Sequence, residues 1–280
     1  MVAIQREHLF LKVVKRHTPE VIKKRIRALL YRLRMLRAKH ICPVCNSRVI
    51  AFQELPGYYL ENLQKYGWPY KGEEAETCNL QGYSCPFCQA SDRDRIYALY
   101  LRNYLSRLRS DGSIKILDFA PSAPLSRFIR ALRQDISYRT ADLFAEGVDD
   151  KVDITDLRLY EDNQFDFFIC SHVLEHVPDD KKALCELYRI LKPSGRGILM
   201  VPIILSLKEI DEDPTVIDEG ERWRRFGQDD HVRLYSRDGF IERMREPGFV
   251  VHEYGKGVFG KDVLTRSGIT DQSVLYVVEK

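Results

Sequence analysis

Short hydrophobic runs and amphipathic segments alternate along the larger, carboxyl-terminal part of the chain, residues 113–280. Short apolar runs predict buried strands, and apolar residues spaced three and four apart predict helices. The predicted strands are 114–118, 137–141, 165–170, 196–203, 248–254 and 273–279, and the predicted helices are 125–134 and 180–191. This alternation predicts an α/β fold with a mostly parallel sheet covered on both faces. No convincing helix separates the last two strands, so we expect them to pair antiparallel at the sheet edge.

Residues 1–40 carry the pattern of one or two amphipathic helices. Thr18 and Pro19 suit an N-cap and a first turn, and the apolar positions that follow at helical spacing are Val21, Ile22, Ile26, Leu29, Leu30, Leu33 and Leu36. This segment has twelve basic residues against two Glu, whereas the rest of the chain has 32 basic and 39 acidic residues. Such a helix suits a membrane surface, RNA, an acidic partner or packing against its own acidic domain, and the pattern does not separate these.

The bulk composition describes a globular protein of 280 residues with a 44% hydrophobic fraction. The longest apolar stretches are far short of the roughly 20 residues that span a bilayer. Charges interrupt the N-terminal stretch MVAIQREHLFLKVVKRH, so it lacks the apolar core of a secretory signal. We therefore expect no transmembrane segment and a cytoplasmic location, with peripheral membrane contact through residues 1–40 as an option.

Four of the seven cysteines form two C-P-x-C pairs, Cys42 with Cys45 and Cys85 with Cys88. Two such turns supply the four thiolates of a tetrahedral site for structural Zn²⁺, and the alternative is two unrelated turns with reduced thiols. The stretch between the pairs is rich in aromatic residues and glycine, so it must form an insertion, and Cys78 within it is a spare thiol. The predicted domains are a basic helical segment (1–40), a zinc-ribbon-like module (41–90), a connecting helix (91–112) and an α/β domain (113–280).

The segment FDFFICSHVLEHVPDDKKALCELYRILKPSGRGILMVPI, residues 165–203, closely resembles the class I S-adenosylmethionine-dependent methyltransferases, particularly the type 11 group. That family has a strand F-D-x-[VI], a loop with Glu-His, a helix with E-x-x-R-[VI]-L-K-P-G-G and a further strand. The matching positions are Phe165, Asp166, Glu175, His176, Glu186, Arg189, Ile190, Leu191, Lys192, Pro193 and Gly195, with Ser194 in place of one glycine. The resemblance implies a Rossmann-like sheet and S-adenosylmethionine as cofactor for residues 113–280.

The same resemblance assigns a cofactor loop to IKILDFAPSAPL, residues 114–125. The family has D-x-G-x-G-x-G here, whereas this chain keeps Asp118 and places Ala120, Ser122 and Pro124 where the glycines stand. Ala and Ser allow close approach of the cofactor provided that φ stays negative. A subgroup of bacterial methyltransferases with an N-terminal CPxC pair has a similar Ala-Pro turn. On the residues alone, an ordinary strand-to-helix turn is the alternative.

The resemblance extends to further cofactor positions at the ends of the later strands. Asp142 matches the acid that holds the ribose hydroxyls, and Asp153 and Ile154 match the positions beside adenine. The complete set of predicted cofactor residues is Asp118, Ala120, Ser122, Asp142, Leu143, Asp153, Ile154, Ser171 and His172. Turn or helix-cap residues are the alternative for Asp142 and Asp153.

The segment ERWRRFGQDDHVRLYSRDGF, residues 221–240, is dense in polar side chains and lies where family members place substrate-side elements. A His beside Asp can act as a general base, so we expect His231 to be the base, with His176 second because Glu175 and His176 can instead organise their loop. The predicted catalytic residues are His231, His176 and Glu175. The alternative is a solvated surface loop.

The sequence thus predicts an enzyme that transfers the sulfonium methyl group to a hydroxyl or amine of a carbohydrate, lipid-linked or other small-molecule acceptor. RNA is the alternative acceptor, because zinc modules and basic helices both suit nucleic acid. A third possibility is a zinc-bearing scaffold protein that has lost turnover, which the missing glycines would explain.

Overall fold

The computed structural model describes residues 22–26, 38–108 and 112–280. Residues 22–26 are helical, as the amphipathic pattern predicts. Residues 1–21 and 27–37 of the basic segment lie outside the described residues. The connecting helix ends at Arg107 rather than at the predicted residues 111 and 112, because Leu108 already has an extended backbone. No helix in the described ranges combines the length and the apolar character needed to cross a membrane.

A mixed seven-stranded sheet forms the centre of residues 112–280. Its strand order is β10-β11-β7-β6-β3-β4-β5. The strands are β3 (Ile114–Phe119), β4 (Ile136–Asp142), β5 (Asp150–Lys151), β6 (Phe165–Ser171), β7 (Leu191–Met200), β10 (Val250–Tyr254) and β11 (Leu275–Glu279). The neighbouring strands β5, β4, β3, β6 and β7 pair parallel in that order. Strand β11 pairs antiparallel with both β7 and β10. The predicted Rossmann-like α/β sheet with an antiparallel edge is therefore confirmed.

Helices connect these strands and cover the sheet. They are α2 (Asp92–Arg107), α3 (Ala123–Leu132), α4 (Asp180–Ile190), α5 (Glu219–Phe226), α6 (Arg237–Arg245), α7 (Lys256–Phe259) and α8 (Lys261–Arg266), and α1 (Gly57–Lys65) belongs to the N-terminal module. The two faces of β6 show the layering, since adjacent strand residues point to opposite faces. Phe167 packs against Tyr100 and Tyr104 of α2, while Phe168 packs against Phe249 on the other face.

The central strands are buried on both faces because their sequences are nearly continuous hydrophobic runs, as in IKILDF and FDFFICS. Gly197 on β7 lies opposite Phe168 on β6. A Cβ at Gly197 would lie 2.3 Å from the ring of Phe168, so only glycine leaves room for that ring over this position of β7.

Most element ends differ from the sequence prediction by one or two residues, and two further differences are larger. Strand β7 begins at Leu191 rather than 196, because Ser194 donates to the carbonyl of Lys280 and Lys280 donates to the carbonyl of Gly195. Lys-Pro-Ser-Gly therefore lies in the irregular first part of the strand instead of ending the helix. The short helices α7 and α8 lie between β10 and β11, where the sequence showed no convincing helix.

The N-terminal module contains the hairpin β1 (His40–Ile41) and β2 (Arg48–Val49), α1 and a 3₁₀ turn at Gly72–Glu74. A second hairpin pairs β8 (Asp211–Glu212) with β9 (Arg233–Leu234) beside the main sheet. Arg95 of α2 is fully buried and stacks on Phe52 of the module. Its guanidinium donates to five backbone carbonyls, those of Gly82, Tyr83, Ala90, Ser267 and Gly268. One side chain thus joins the module to the α/β domain.

Candidate functional site

The loop after β3 keeps a glycine-like conformation without glycine. Ala120 has φ +49°, is exposed, and donates its N–H to the carbonyl of Ala141 at the end of β4. The expectation that φ stays negative there is wrong, because the turn toward α3 requires the left-handed region. An L-residue pays roughly 1–2 kcal/mol for that conformation. Ser194, which replaces a glycine of the later family motif, also has positive φ, at +61°.

Asp118 and Ser122 flank Ala120 and are both engaged by the protein itself. Asp118 is buried and its carboxyl accepts a hydrogen bond from the hydroxyl of Tyr138. Burial raises its pKa to about 7, although the Tyr138 bond acts in the opposite direction. Ser122 caps α3 and donates its hydroxyl to Asp94 of α2 at 2.8 Å. Their predicted contacts with the cofactor stay predictions.

Asp142 and Asp153 each use one carboxylate oxygen to shape a turn. Asp142 Oδ1 accepts from two backbone N–H groups beyond Leu143, and Asp153 Oδ1 accepts from the N–H and hydroxyl of Thr155. No described residue donates to Oδ2 of either acid. Leu143 is 48% exposed, and Ile154 is buried in the main core. The turn interpretation therefore holds for one oxygen of each acid, and the predicted cofactor contacts of Asp142 and Asp153 stay predictions.

Ser171 ends β6 and His172 follows it, next to the Ala120 loop at the same sheet edge. The Ser171 hydroxyl lies 2.8 Å from that of Tyr97 on α2. His172 has φ +55°, a conformation that His adopts more readily than most residues. Its side chain lies 3.1 Å from Glu175 and lines the cavity described below. Burial lowers the pKa of His172 to about 4, and the Arg93 cation acts in the same direction.

Three predicted catalytic residues, Glu175, His176 and His231, are brought together by the fold. One ligand atom from each lies within 4.8 Å of the others. The rings of His176 and His231 meet edge to face with centroids 4.7 Å apart. His231 Nδ1 lies 3.0 Å from the carbonyl of Phe226, and His176 Nδ1 lies 3.2 Å from the carboxylate of Asp230.

The cluster contains a buried carboxylate. Glu175 is fully buried, and neither of its oxygens accepts a hydrogen bond of good geometry from a described residue, the 3.1 Å contact with His172 being an ionic one. Burial raises the pKa of Glu175, but the surrounding imidazoles outweigh it and hold the pKa at about 2. Burial lowers the pKa of His231. Burial also opposes protonation of His176, yet Asp230 raises its pKa overall.

Backbone pairing between distant segments places His231 beside Glu175. The N–H of Val232 donates to the Glu175 carbonyl at 2.9 Å. Arg233 is buried and donates to the carbonyls of Leu174, Val177 and Pro178 around the same turn. The surface-loop alternative for residues 221–240 is therefore wrong for 231–235, whose side chains are buried.

A cavity of about 400 Å³ opens beside this cluster. His172, His231 and Gln228 line its inner side, together with Arg93, whose guanidinium donates to the Tyr83 hydroxyl at 3.3 Å. The opposite wall comes from the insertion between the two C-P-x-C pairs. Its wall residues include Leu55, Tyr59, Leu63, Trp68, Tyr70 and Leu80.

Sequence reasoning missed this wall and missed Arg93. The aromatic content of the insertion was the available signal, but nothing local indicates which domain an insertion packs against. Cys78 also lines the cavity and lies outside the four-cysteine cluster.

The four predicted metal ligands, Cys42, Cys45, Cys85 and Cys88, converge into one cluster. The Sγ atoms of Cys42 and Cys88 are 3.7 Å apart, and those of Cys45 and Cys85 are 3.9 Å apart. Zn–S bonds of about 2.3 Å in a tetrahedron place sulfur atoms ~3.8 Å from one another. The donor set and its spacing therefore fit a structural Zn²⁺.

The two C-P-x-C turns share one backbone design. In each turn the backbone carbonyl of the first cysteine accepts a hydrogen bond from the N–H of the residue after the second cysteine. That residue is Asn46 in one turn and Gln89 in the other, and both have positive φ. Because both turns are local, the sequence spacing was sufficient to predict them.

Comparison with known proteins identifies the α/β part. Residues 121–199, from the loop after β3 to β7, match the protein-family model described as a methyltransferase domain. The chain is 46% identical over 41 residues to the ubiquinone/menaquinone biosynthesis C-methyltransferase UbiE of Rickettsia akari, covering 15% of this chain and 16% of that protein. It is 37% identical over 51 residues to phosphoethanolamine N-methyltransferase 2 of Caenorhabditis elegans, covering 18% and 12%.

The chain thus spans less than a fifth of the length of these curated relatives. Among solved structures, a CurJ carbon methyltransferase is similar with a TM-score of 0.45 and 15% identity, over 66% of this chain and 53% of that one. With the family match, the sheet order and the matched motif residues, the chain carries an S-adenosylmethionine-dependent methyltransferase domain.

Proposed function

We propose that this chain transfers the methyl group of S-adenosylmethionine to a hydroxyl or amine of a small organic acceptor held in the 400 Å³ cavity. Carbohydrate and lipid-linked compounds are the acceptor classes we place first. One observation carries the proposal. His172 follows the predicted cofactor edge at β6 and also lines the cavity, so a cofactor at that edge and an acceptor in the cavity would meet beside it.

Residues at three strand ends would hold the cofactor. Ala120 is exposed and keeps the left-handed turn that a glycine of the family motif would supply. Asp142 keeps one carboxylate oxygen for hydroxyl donors such as those of a ribose. When bound, the cofactor supplies an electrophilic methyl group on a sulfonium. The retained turn at Ala120 favours a working cofactor loop over the scaffold alternative.

The protein contributes mainly by positioning and by handling the acceptor's proton. Holding the reacting atoms in near-attack geometry is worth several kcal/mol in reactions of this type. His231 is the base that we place nearest a hydroxyl acceptor, since it lines the cavity and burial lowers its pKa, which keeps the ring neutral.

The cavity favours a small molecule over RNA as acceptor. It is concave and lined mostly by apolar and aromatic side chains, the usual character of small-molecule sites. The RNA, membrane and acidic-partner alternatives all depend on residues 1–40, of which the structure describes only 22–26 and 38–40.

We further propose that Zn²⁺ binds Cys42, Cys45, Cys85 and Cys88 and holds the insertion in place as the cavity wall. The Arg95 guanidinium interacts electrostatically with Cys42 and Cys85. A cation at this position offsets the excess negative charge of a four-thiolate zinc site. Metal analysis should find one zinc per chain in purified protein, lost in Cys45→Ser. A content far below one would contradict the metal assignment.

Two measurements test the enzyme assignment. Calorimetry should detect S-adenosylmethionine binding in the micromolar range, and labelled methyl groups should transfer to one of a panel of sugar, lipid-linked and aromatic acceptors. No cofactor binding by well-folded, zinc-loaded protein would refute the proposal.

A matched pair of variants tests the cavity wall. Tyr59 of α1 lines the cavity, whereas its neighbour Tyr58 does not and is 54% exposed. Tyr59→Ala should raise the KM for the acceptor about tenfold or more while leaving cofactor affinity unchanged, since truncating a buried aromatic contact costs over 1 kcal/mol. Tyr58→Ala removes only a ring that packs on Tyr59 from outside the cavity, with centroids 4.2 Å apart, so it should raise the KM much less. Equal effects of the two variants would contradict the assignment of the wall.

A further inference from the structure

We propose that Glu175, His176 and His231 bind a divalent transition-metal ion, distinct from the zinc at the four cysteines, at the inner side of the cavity. The three side chains offer two imidazoles and one carboxylate, with ligand atoms within 4.8 Å of one another. Ligands of one ion with bonds of about 2.1 Å are at most ~4.2 Å apart, so a small side-chain adjustment closes the site.

The buried carboxylate is the first argument for an ion. Glu175 is fully buried, yet neither oxygen accepts a well-formed hydrogen bond from any described residue. A buried charge without hydrogen-bond partners is costly, and a buried carboxylate is commonly paired or bound to a metal. The ionic contact with His172 at 3.1 Å involves only Oε1, so Oε2 remains without a partner.

The orientation of both imidazoles is the second argument. His231 Nδ1 lies against the carbonyl of Phe226, and a carbonyl can only accept, so Nδ1 carries the proton. His176 Nδ1 faces the carboxylate of Asp230 at 3.2 Å, which has the same consequence. In each ring the Nε2 lone pair is then free. Metal-binding histidines in proteins are oriented in this way, by a carbonyl or carboxylate on the other nitrogen.

The surrounding side chains complete that arrangement. Gln228 donates its amide to Asp230 Oδ1 at 2.9 Å, which fixes the carboxylate behind His176. Two imidazoles and one carboxylate leave coordination positions open, as in catalytic rather than structural metal sites. His231 lines the cavity, so the open positions lie toward the bound acceptor.

A role in methyl transfer follows, and that part of the inference rests on the proposed function. An ion here would coordinate the acceptor's hydroxyl oxygen and lower the pKa of the O–H. The proton leaves to water, the oxygen attacks the methyl carbon, and the C–S bond breaks to release the thioether product. With the ion bound, His231 is a ligand, and the ion replaces it as the group that activates the hydroxyl.

Cobalt titration of the full, zinc-loaded chain tests the site. Co²⁺ bound by imidazole and carboxylate lacks the intense thiolate charge-transfer bands that mark binding to cysteines. We expect one equivalent of Co²⁺ per chain without those bands. Glu175→Gln should weaken binding at least about 100-fold, because it removes a ligand charge. Asp230→Asn, which touches no ion, should weaken it roughly tenfold.

Controls keep a folding defect from deciding the result. His252→Gln changes a half-exposed histidine on β10 and should leave the cobalt titration as in the wild type. Asp230 is largely exposed, so Asp230→Asn is expected to fold even where Glu175→Gln does not. Absence of this cobalt signal, or equal binding by wild type and Asp230→Asn, would overturn the inference. If S-adenosylmethionine still binds in that case, the proposed function stands with His231 as the base.

Discussion

The left-handed residue in the cofactor loop yields the most direct quantitative prediction. Ala120 is exposed at φ +49°, so its methyl group contributes no burial and its cost is conformational. Replacement by glycine removes roughly 1–2 kcal/mol of strain and adds about 0.5–1 kcal/mol of unfolded-state entropy. Ala120→Gly should therefore raise the free energy of unfolding by about 0.5–1 kcal/mol, or roughly 2 °C in Tm.

Ala120→Val should act in the opposite direction. A β-branched side chain is an outlier at positive φ, so the loop must either hold more strain or turn differently. We expect a loss of about 2 kcal/mol or more in stability and at least tenfold weaker cofactor binding. Ala120→Gly should keep the cofactor Kd within about threefold of the wild type.

Two matched variants separate backbone strain from other effects. Ala123→Val makes the same change at an exposed position in the first turn of α3 and should cost only about 0.5 kcal/mol. Ser194→Gly relieves the positive φ at the start of β7, far from the predicted cofactor site, and should stabilise without changing cofactor affinity. Chemical denaturation and calorimetry give both quantities. Equal stability of Ala120→Val and Ala123→Val, or destabilisation by Ala120→Gly, would refute the reasoning.

Further predictions concern buried groups around the site. Burial raises the pKa of Asp118 from 3.8 to about 7, so the folded state loses stability as the pH rises from 4 to 7. Asn at this position can still accept from Tyr138, so between pH 4 and pH 8 the free energy of unfolding of Asp118→Asn should rise by up to roughly 4 kcal/mol relative to the wild type. A difference in urea unfolding that stays constant with pH would contradict this. Gly227→Ala puts a Cβ at φ +83° and 2.9 Å from the ring of Trp68, so kinetic assays should show a raised acceptor KM with unchanged cofactor Kd. Arg95→Met removes five hydrogen bonds and leaves the carbonyls of Gly82, Tyr83 and Ser267 without a described donor, since Ala90 and Gly268 still accept from Cys85 and Asn79. It should cost at least about 3 kcal/mol in denaturant unfolding, whereas a near-neutral result would show that water replaces the guanidinium.

Much of the fold was predictable because burial leaves a local pattern. The hydrophobic runs at β3 and β6 are continuous since both faces of a central parallel strand are covered. The boundary at β7 was not predictable, because Ser194 and Gly195 join the sheet only through hydrogen bonds with Lys280, 85 or more positions away.

The residues of the candidate site also divide into those whose position the sequence predicts and those whose conformation it does not. Residues at a strand end or directly after it, such as Asp142 and His172, could be assigned to one sheet edge from the sequence, because parallel strands all end at that edge. The conformation of Ala120 could not, since the residue type argues against it and only the required turn imposes it.

The sequence by itself determined the α/β order of elements, the two cysteine turns and the motif residues at the strand ends, because each depends on neighbours within a few residues. Tertiary structure alone decided that the insertion walls the cavity and that His231 lies beside Glu175. Those contacts join segments more than fifty residues apart through packing and backbone pairing, which no local pattern encodes. The chemistry of the site therefore depends on which distant surfaces meet.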